Sequence, residues 1–173
     1  MAPPAHEAAA AASSPLRRRF GRRKFDKQPN QAAAVLIAAN GVTIPGAAVR
    51  SALRIAKGCP VAVVSIARLY GSGWGLQNPG LTPSRREMAV QREIVERAVS
   101  SLEKGGAEAW GQIAVSRKPA KTIAAAAKAR RAVHVIVVRP DQPVRWRRVV
   151  EGDLVKEVVR KVGPDVEVEG VSP

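Results

Sequence analysis

The chain has 173 residues, which is enough for one globular domain with a sizeable hydrophobic core. Its 29 lysine and arginine residues against 14 acidic ones give a net charge of +15, which favours phosphate-rich or anionic partners but does not indicate a fold. The single cysteine excludes an internal disulfide, and no apolar run is long enough for a membrane span, so we expect a cytoplasmic protein.

Residues 1–30 combine proline, alanine, serine and clustered arginine without sustained hydrophobic periodicity. Because such a segment buries too little apolar surface to offset its chain entropy, we expect a disordered basic arm before an α/β domain at 31–173. Its stretch LRRRFGRRKF suits a nucleic acid or the ribosome, an anionic membrane or protein partner, or a solubilising tail. The candidate anion contacts are Arg17, Arg18, Arg19, Arg22, Arg23 and Lys24.

Apolar runs and helical periodicities alternate after the arm. The run AAAVLIAAN, from residue 32, predicts a buried strand that ends in the turn Asn40-Gly41. A helix follows between Pro45 and Lys57, since proline near its start and glycine beyond its end are typical helix signals. The run PVAVVSIARL predicts a second strand, and the loop YGSGWG after it lacks the Lys-Ser/Thr ending of a P-loop.

The second predicted helix is long and amphipathic, with an apolar stripe from Met88 to Leu102. Either Thr82-Pro83 or Ser84 with Glu87 three residues later could cap its start. The later elements are a strand in AEAWGQIAV, a helix in KPAKTIAAAAKARRA, a strand in VHVIVV, a helix with LVKEVV and a strand in DVEVEGV.

The order β-α-β-α-β-α-β-α-β predicts an α/β fold: an open, mainly parallel five-stranded sheet with helices on both faces. Ligands of such sheets bind beyond the carboxyl ends of the strands, where the strand order reverses. We therefore expect the ligand edge to be lined by Asn40, Gly41, the loop after Leu69 and the loop after Val138.

Isolated reactive residues have simpler interpretations. His134 lies in an apolar strand without a neighbouring His or Cys, so we interpret it as a core or rim residue and expect no metal site. Cys59 is interpreted as a small buried hydrophobe. Since no Ser-His-Asp set or acid pair with a meaningful spacing occurs, we expect a protein that is not an enzyme.

The order of elements and three stretches resemble the universal stress protein family over roughly residues 32–171. VLIAANG is similar to the family's first strand, SRKPAKTIAAAAKARRAVHVIVVR to its Gly-x-Pro-Ala helix and the next strand, and RPDQPVRWRRVVEGDLVKEVV aligns with its nucleotide loop. The resemblance implies an adenine nucleotide alpha hydrolase-like fold and a homodimer, which the edge of DVEVEGV could form.

The aligned nucleotide loop departs from the family pattern of Gly, two residues, Gly, nine residues, then Gly-Ser or Gly-Thr. Gly152 matches, whereas the other positions hold Arg139, Gln142 and Asp153, and the Asp that usually ends the first strand is Asn40. Side chains in place of glycine hinder close wrapping of phosphates, and Asp153 as a helix N-cap puts a negative charge where a phosphate would bind. The candidate cofactor-binding residues are Asn40, Gly41, Arg139, Gln142, Gly152 and Asp153.

Three more arginines of this loop leave two interpretations open. Arg145, Arg147 and Arg148 could engage phosphate, with Trp146 stacking on a base, or VRWRR could be a solvated connection. We expect a stress-related or regulatory binding protein of a bacterial cytoplasm, without a cofactor and with ATP binding lost or altered. The alternatives are a sensor of ATP or a cyclic nucleotide, and a nucleic-acid or ribosome-associated protein acting through its arginine-rich arm.

Overall fold

The computed structural model describes residues 31–68, 83–139 and 153–172. Over these ranges the chain alternates between strands and helices in the predicted order. The strands are β1 (Val35–Ala39), β2 (Val61–Arg68), β3 (Ala109–Ser116), β4 (His134–Val138) and β5 (Glu167–Val171). The helices are α1 (Gly46–Ala56), α2 (Arg85–Lys104), α3 (Pro119–Arg130) and α4 (Leu154–Val162).

The strands form one sheet in the order β3-β2-β1-β4-β5, and every pairing between these strands is parallel. The predicted α/β class and five-stranded sheet are therefore confirmed. The chain proceeds outward from β1 to β3 and then returns to the other side of β1 to form β4. The strand order thus reverses between β1 and β4, where Ala39 pairs with Val138.

Helices cover both faces of the sheet, and each face has its own hydrophobic core. Helices α1 and α2 pack on the core that contains Ile37 and Val63. Helices α3 and α4 pack on the opposite core, which contains Leu36 and Val135. Successive side chains of a strand point to opposite faces, so one buried strand such as β1 supplies both cores. This explains why its sequence is a continuous apolar run rather than an alternating one.

Of the two predicted N-caps of α2, the structure shows the one formed by Ser84 and Glu87. Ser84 Oγ accepts a hydrogen bond from the Glu87 N–H at 3.2 Å, and Glu87 Oε2 accepts one from the Ser84 N–H at 2.6 Å. The apolar stripe of this helix is confirmed as well, because its buried residues are Gln91, Val95, Ala98, Val99 and Leu102. No helix within the described ranges is long and apolar enough to cross a membrane.

The interpretation of Cys59 as a buried hydrophobe was wrong, because its side chain is exposed. Helix α1 ends at Ala56, and Lys57 and Gly58 then take left-handed backbone angles, with φ of 45° and 88°. These two residues turn the chain before β2 begins at Val61. Cys59 therefore lies in the turn, outside the buried strand.

Candidate functional site

The reversal of strand order creates a crevice at the carboxyl ends of β1 and β4. Asn40 and Arg139 each follow one member of the pair Ala39 and Val138, which lie in register. Because paired strands are about 4.8 Å apart, the backbones of Asn40 and Arg139 lie side by side at this edge. The structure thus places together two of the residues that the sequence assigned to the ligand edge.

Gly41 turns the chain away from β1. Its φ is 72°, in the left-handed region that a residue with a Cβ rarely adopts. A Cβ at this position would lie 3.7 Å from the carbonyl oxygen of Ile66, which is an ordinary contact. The backbone angle, rather than lack of space, therefore favours glycine in the predicted turn.

Asp153 is the N-cap of α4, as predicted. Its Oδ1 accepts a hydrogen bond from the Val155 N–H at 3.0 Å, and its backbone carbonyl accepts one from the Glu157 N–H at 3.0 Å. The helix dipole favours a negative charge at this end. An exposed carboxylate is consequently held at the helix start that follows the crevice in sequence.

The side chain of Arg139 extends towards β5. Its backbone N–H donates to the Val171 carbonyl at 2.8 Å, which continues the ladder between β4 and β5. A Cβ built on Gly170 would lie 2.5 Å from Nε of Arg139 and 2.7 Å from its Nη2, so the guanidinium occupies the space above this glycine. Since β5 and β1 flank opposite sides of β4, this guanidinium lies away from Asn40.

A buried polar pair near the crevice was not identified from the sequence. Ser65 of β2 lies in register with Ala39, and its Oγ donates to Oε1 of Gln91 on α2 at 2.5 Å. Both side chains are buried, and a buried polar group is costly unless it is hydrogen-bonded. The sequence does contain a signal for this pair: Ser65 interrupts the apolar run of β2, and Gln91 interrupts the apolar stripe of α2. The pair connects α2 to β2 close to the ligand edge.

His134 lies at the opposite, amino edge of the sheet. Its Nδ1 is 3.1 Å from Oε2 of Glu167, and the imidazole is partly exposed. This position agrees with the interpretation of His134 as a rim residue. Within residues 31–68, 83–139 and 153–172, no group of three or more His, Cys, Asp or Glu side chains is placed to hold a metal ion.

The remaining predicted contacts lie outside the described residues and stay predictions. In the nucleotide loop these are Gln142, Arg145, Arg147, Arg148 and Gly152. In the arm they are Arg17, Arg18, Arg19, Arg22, Arg23 and Lys24. The described part of the site therefore consists of Asn40, Gly41, Arg139 and Asp153.

No protein-family model matches the chain, and no curated protein matches it. Solved structures do. A universal stress protein from Archaeoglobus fulgidus in complex with dAMP is 22% identical, with a TM-score of 0.52, over 79% of this chain and 96% of that one. A family protein from Burkholderia pseudomallei is 10% identical, with a TM-score of 0.55, over 80% and 96%. A universal stress protein in complex with cAMP is 16% identical, with a TM-score of 0.55, over 82% and 98%. The chain therefore has the fold of the universal stress proteins.

Proposed function

We propose that the chain is a non-catalytic, universal stress protein-like regulatory protein in which ATP binding at the β1–β4 crevice is lost or altered. The observation that carries this proposal is the Asp153 carboxylate at the N-terminus of α4. The N-terminus of a helix ordinarily attracts anions, because its N–H groups lack partners within the helix. Here one of these groups, the Val155 N–H, already donates to Asp153 at 3.0 Å.

The Asp153 carboxylate would repel a phosphate bound at the start of α4. Two unit charges about 4 Å apart repel by about 1 kcal/mol in water and by more where solvent is excluded. A triphosphate at the start of α4 would experience this repulsion. Because the Arg139 guanidinium lies over Gly170, on the β5 side of β4, it is not positioned above the crevice to offset that repulsion.

The variant Asp153→Ser tests this role, because serine keeps an N-cap oxygen while it removes the charge. We expect ATP affinity, measured by isothermal titration calorimetry, to rise by about five- to tenfold, as the repulsion estimated above implies. The matched control is Asp165→Ser, which makes the same charge change at an exposed position in the turn before β5. If Asp153→Ser gains no more affinity than the control, the carboxylate does not exclude ATP, and the replaced glycines become the cause.

An adenine nucleotide sensor is the second candidate. It is favoured by the complexes with dAMP and cAMP of two proteins that have this fold. A ligand that binds only the native state raises the melting temperature, and the rise grows with the logarithm of the ligand concentration once that exceeds Kd. A melting shift of the unmodified protein with ATP, dAMP or cAMP would replace the first proposal by this one.

We also infer a homodimer formed through β5, which is an edge strand of the sheet. The Glu167 N–H donates to the Val133 carbonyl at 2.9 Å, so it points towards β4. Since successive N–H groups of a strand alternate in direction, those of Val168 and Gly170 point outward. A second copy of β5 would provide partners for this exposed edge.

A further inference from the structure

The solvent face of α3 carries basic side chains, and no acidic residue lies near them in the sequence. Between residues 109 and 133 the chain has six basic residues and no acidic one. Five of the six are exposed, and we call them the α3 basic stripe: Arg117, Lys118, Lys121, Lys128 and Arg131. The sixth, Arg130, is buried.

Helical spacing places two lysines of this stripe on one side of α3. Lys118 is the N-cap of α3 and precedes its first helical residue. Each residue of an α-helix turns by about 100°, so two helical positions seven residues apart lie on nearly the same side. These positions are Lys121 and Lys128, and the exposed residue between them is the small Ala125. With Arg117 at one end and Arg131 at the other, the stripe extends along the whole helix, which is about 18 Å long.

Other charges of the described residues do not neutralise the stripe. None of its five side chains forms an ion pair with another residue in ranges 31–68, 83–139 or 153–172. Helix α2, on the other face of the sheet, has five basic and four acidic residues, and Arg97 pairs with Glu93 at 2.6 Å. The solvent face of α3 is therefore more positive than that of α2.

The stripe lies beside the point where the basic N-terminal segment joins the domain. The Ala33 N–H donates to the carbonyl oxygen of Arg130, the last residue of α3, at 3.0 Å. Residues 1–30 add seven basic and two acidic side chains immediately before this point. The end of the α3 basic stripe is therefore close to the residue at which this basic segment enters the domain.

We propose that the α3 basic stripe binds the phosphate backbone of a nucleic acid without reading its bases. Lysine and arginine neutralise phosphates and release condensed counterions, which drives binding without regard to sequence. The only Trp, Tyr or Phe side chain in the described part of the chain, Trp110, is buried, so the described residues of this face offer no large ring on which bases could stack. Its small alanines between cations also differ from the large apolar side chains that insert into membranes.

The test compares two full-length variants that lose the same charge. Lys121→Gln with Lys128→Gln removes two cations of the stripe. Arg86→Gln with Lys104→Gln removes two exposed cations of α2 on the opposite face. Both variants are first checked for folding by circular dichroism and thermal melting. Binding of fluorescent RNA and DNA oligonucleotides, single-stranded and duplex, is then measured by anisotropy over a series of salt concentrations.

We expect the stripe variant to bind about tenfold more weakly at physiological salt, with the slope of log K against log salt smaller by about 2. The control variant should keep a slope close to that of the unmodified protein. Equal binding and equal slopes of the two variants would overturn the proposal, as would failure of the unmodified protein to bind any of the probes. Binding of the same proteins to vesicles of phosphatidylserine and phosphatidylcholine is measured as well. If the stripe variant loses affinity for the vesicles but not for the oligonucleotides, the proposal is overturned in favour of a membrane.

Discussion

Arg130 is a charged residue in an interior position, with only 2% of its surface exposed. Its Nη1 donates to the Ala126 carbonyl at 3.1 Å, and its Nη2 donates to Oε1 of Gln112 on β3. Its Nε has no partner among the described residues. Burial lowers the pKa of this guanidinium from its ordinary value, since the charged form loses solvation. The local energetics therefore depend strongly on the two acceptors that Arg130 retains.

This arrangement gives a prediction for Gln112→Leu. The substitution removes an acceptor from a buried cation, so the free energy of unfolding should fall by about 1–3 kcal/mol. Adding Arg130→Met replaces the cation with an apolar side chain of similar length, and should restore stability to within about 1 kcal/mol of the unmodified protein or exceed it. Urea denaturation of the two variants measures both values. A double variant less stable than Gln112→Leu alone would contradict this account.

The start of α2 shows how one short pattern stabilises a helix terminus. Hydrogen bonds from Ser84 lower the pKa of Glu87 below its ordinary value of 4.5. The bond from the Ser84 backbone has the larger effect, and the bond from its side chain has the smaller one. Because this pKa is lower in the folded than in the unfolded chain, the carboxylate stabilises the fold above its ordinary pKa. That contribution is lost as the pH falls through the lowered pKa.

We therefore predict that Glu87→Gln weakens the pH dependence of stability in the acid range. The difference in melting temperature between the unmodified protein and this variant should be largest near neutral pH and should shrink as the pH falls below 4.5. Glu96→Gln, in the middle of the same helix, is the control, since its carboxylate does not cap the helix. A Glu87→Gln effect that is constant with pH would show that the ionised capping box contributes little.

The helices and strands were predictable where short stretches of the sequence determine them. Runs of β-branched residues gave the strands, and Ser84 with Glu87 supplied a start for α2, so the order of elements and the crevice followed from the sequence. Features that depend on residues distant in sequence were not predictable. The guanidinium of Arg139 takes its direction from the space above Gly170, and the Ser65–Gln91 hydrogen bond requires β2 and α2 to meet.

At the scale of the whole molecule, the sheet separates three regions. The β1–β4 crevice lies at the carboxyl edge, the α3 basic stripe lies on one face, and β5 forms one lateral edge. A ligand in the crevice, a nucleic acid on α3 and a second copy at β5 would thus contact different elements. Each proposal can consequently be tested by substitutions that leave the other two regions unchanged.

The lateral edge gives the last prediction, which concerns the proposed homodimer. Val168→Pro removes an outward N–H from β5, whereas the ladder to β4 uses other groups, such as the Glu167 N–H at 2.9 Å from the Val133 carbonyl. Proline is tolerated at such solvent-facing positions of edge strands. We therefore expect Val168→Pro to fold and to elute as a monomer, while the unmodified protein elutes as a dimer in size-exclusion chromatography with light scattering.

A matched variant separates the loss of edge pairing from the loss of a side chain. Val168→Ala shortens the same partly buried residue but keeps its N–H, so it should remain dimeric. The proline variant should also retain the affinity for nucleic acid that each protomer has, because α3 packs against β2 and β3, whereas β5 is the edge strand on the other side of the sheet. A dimeric Val168→Pro protein that melts cooperatively would place the interface between copies elsewhere than on the β5 edge.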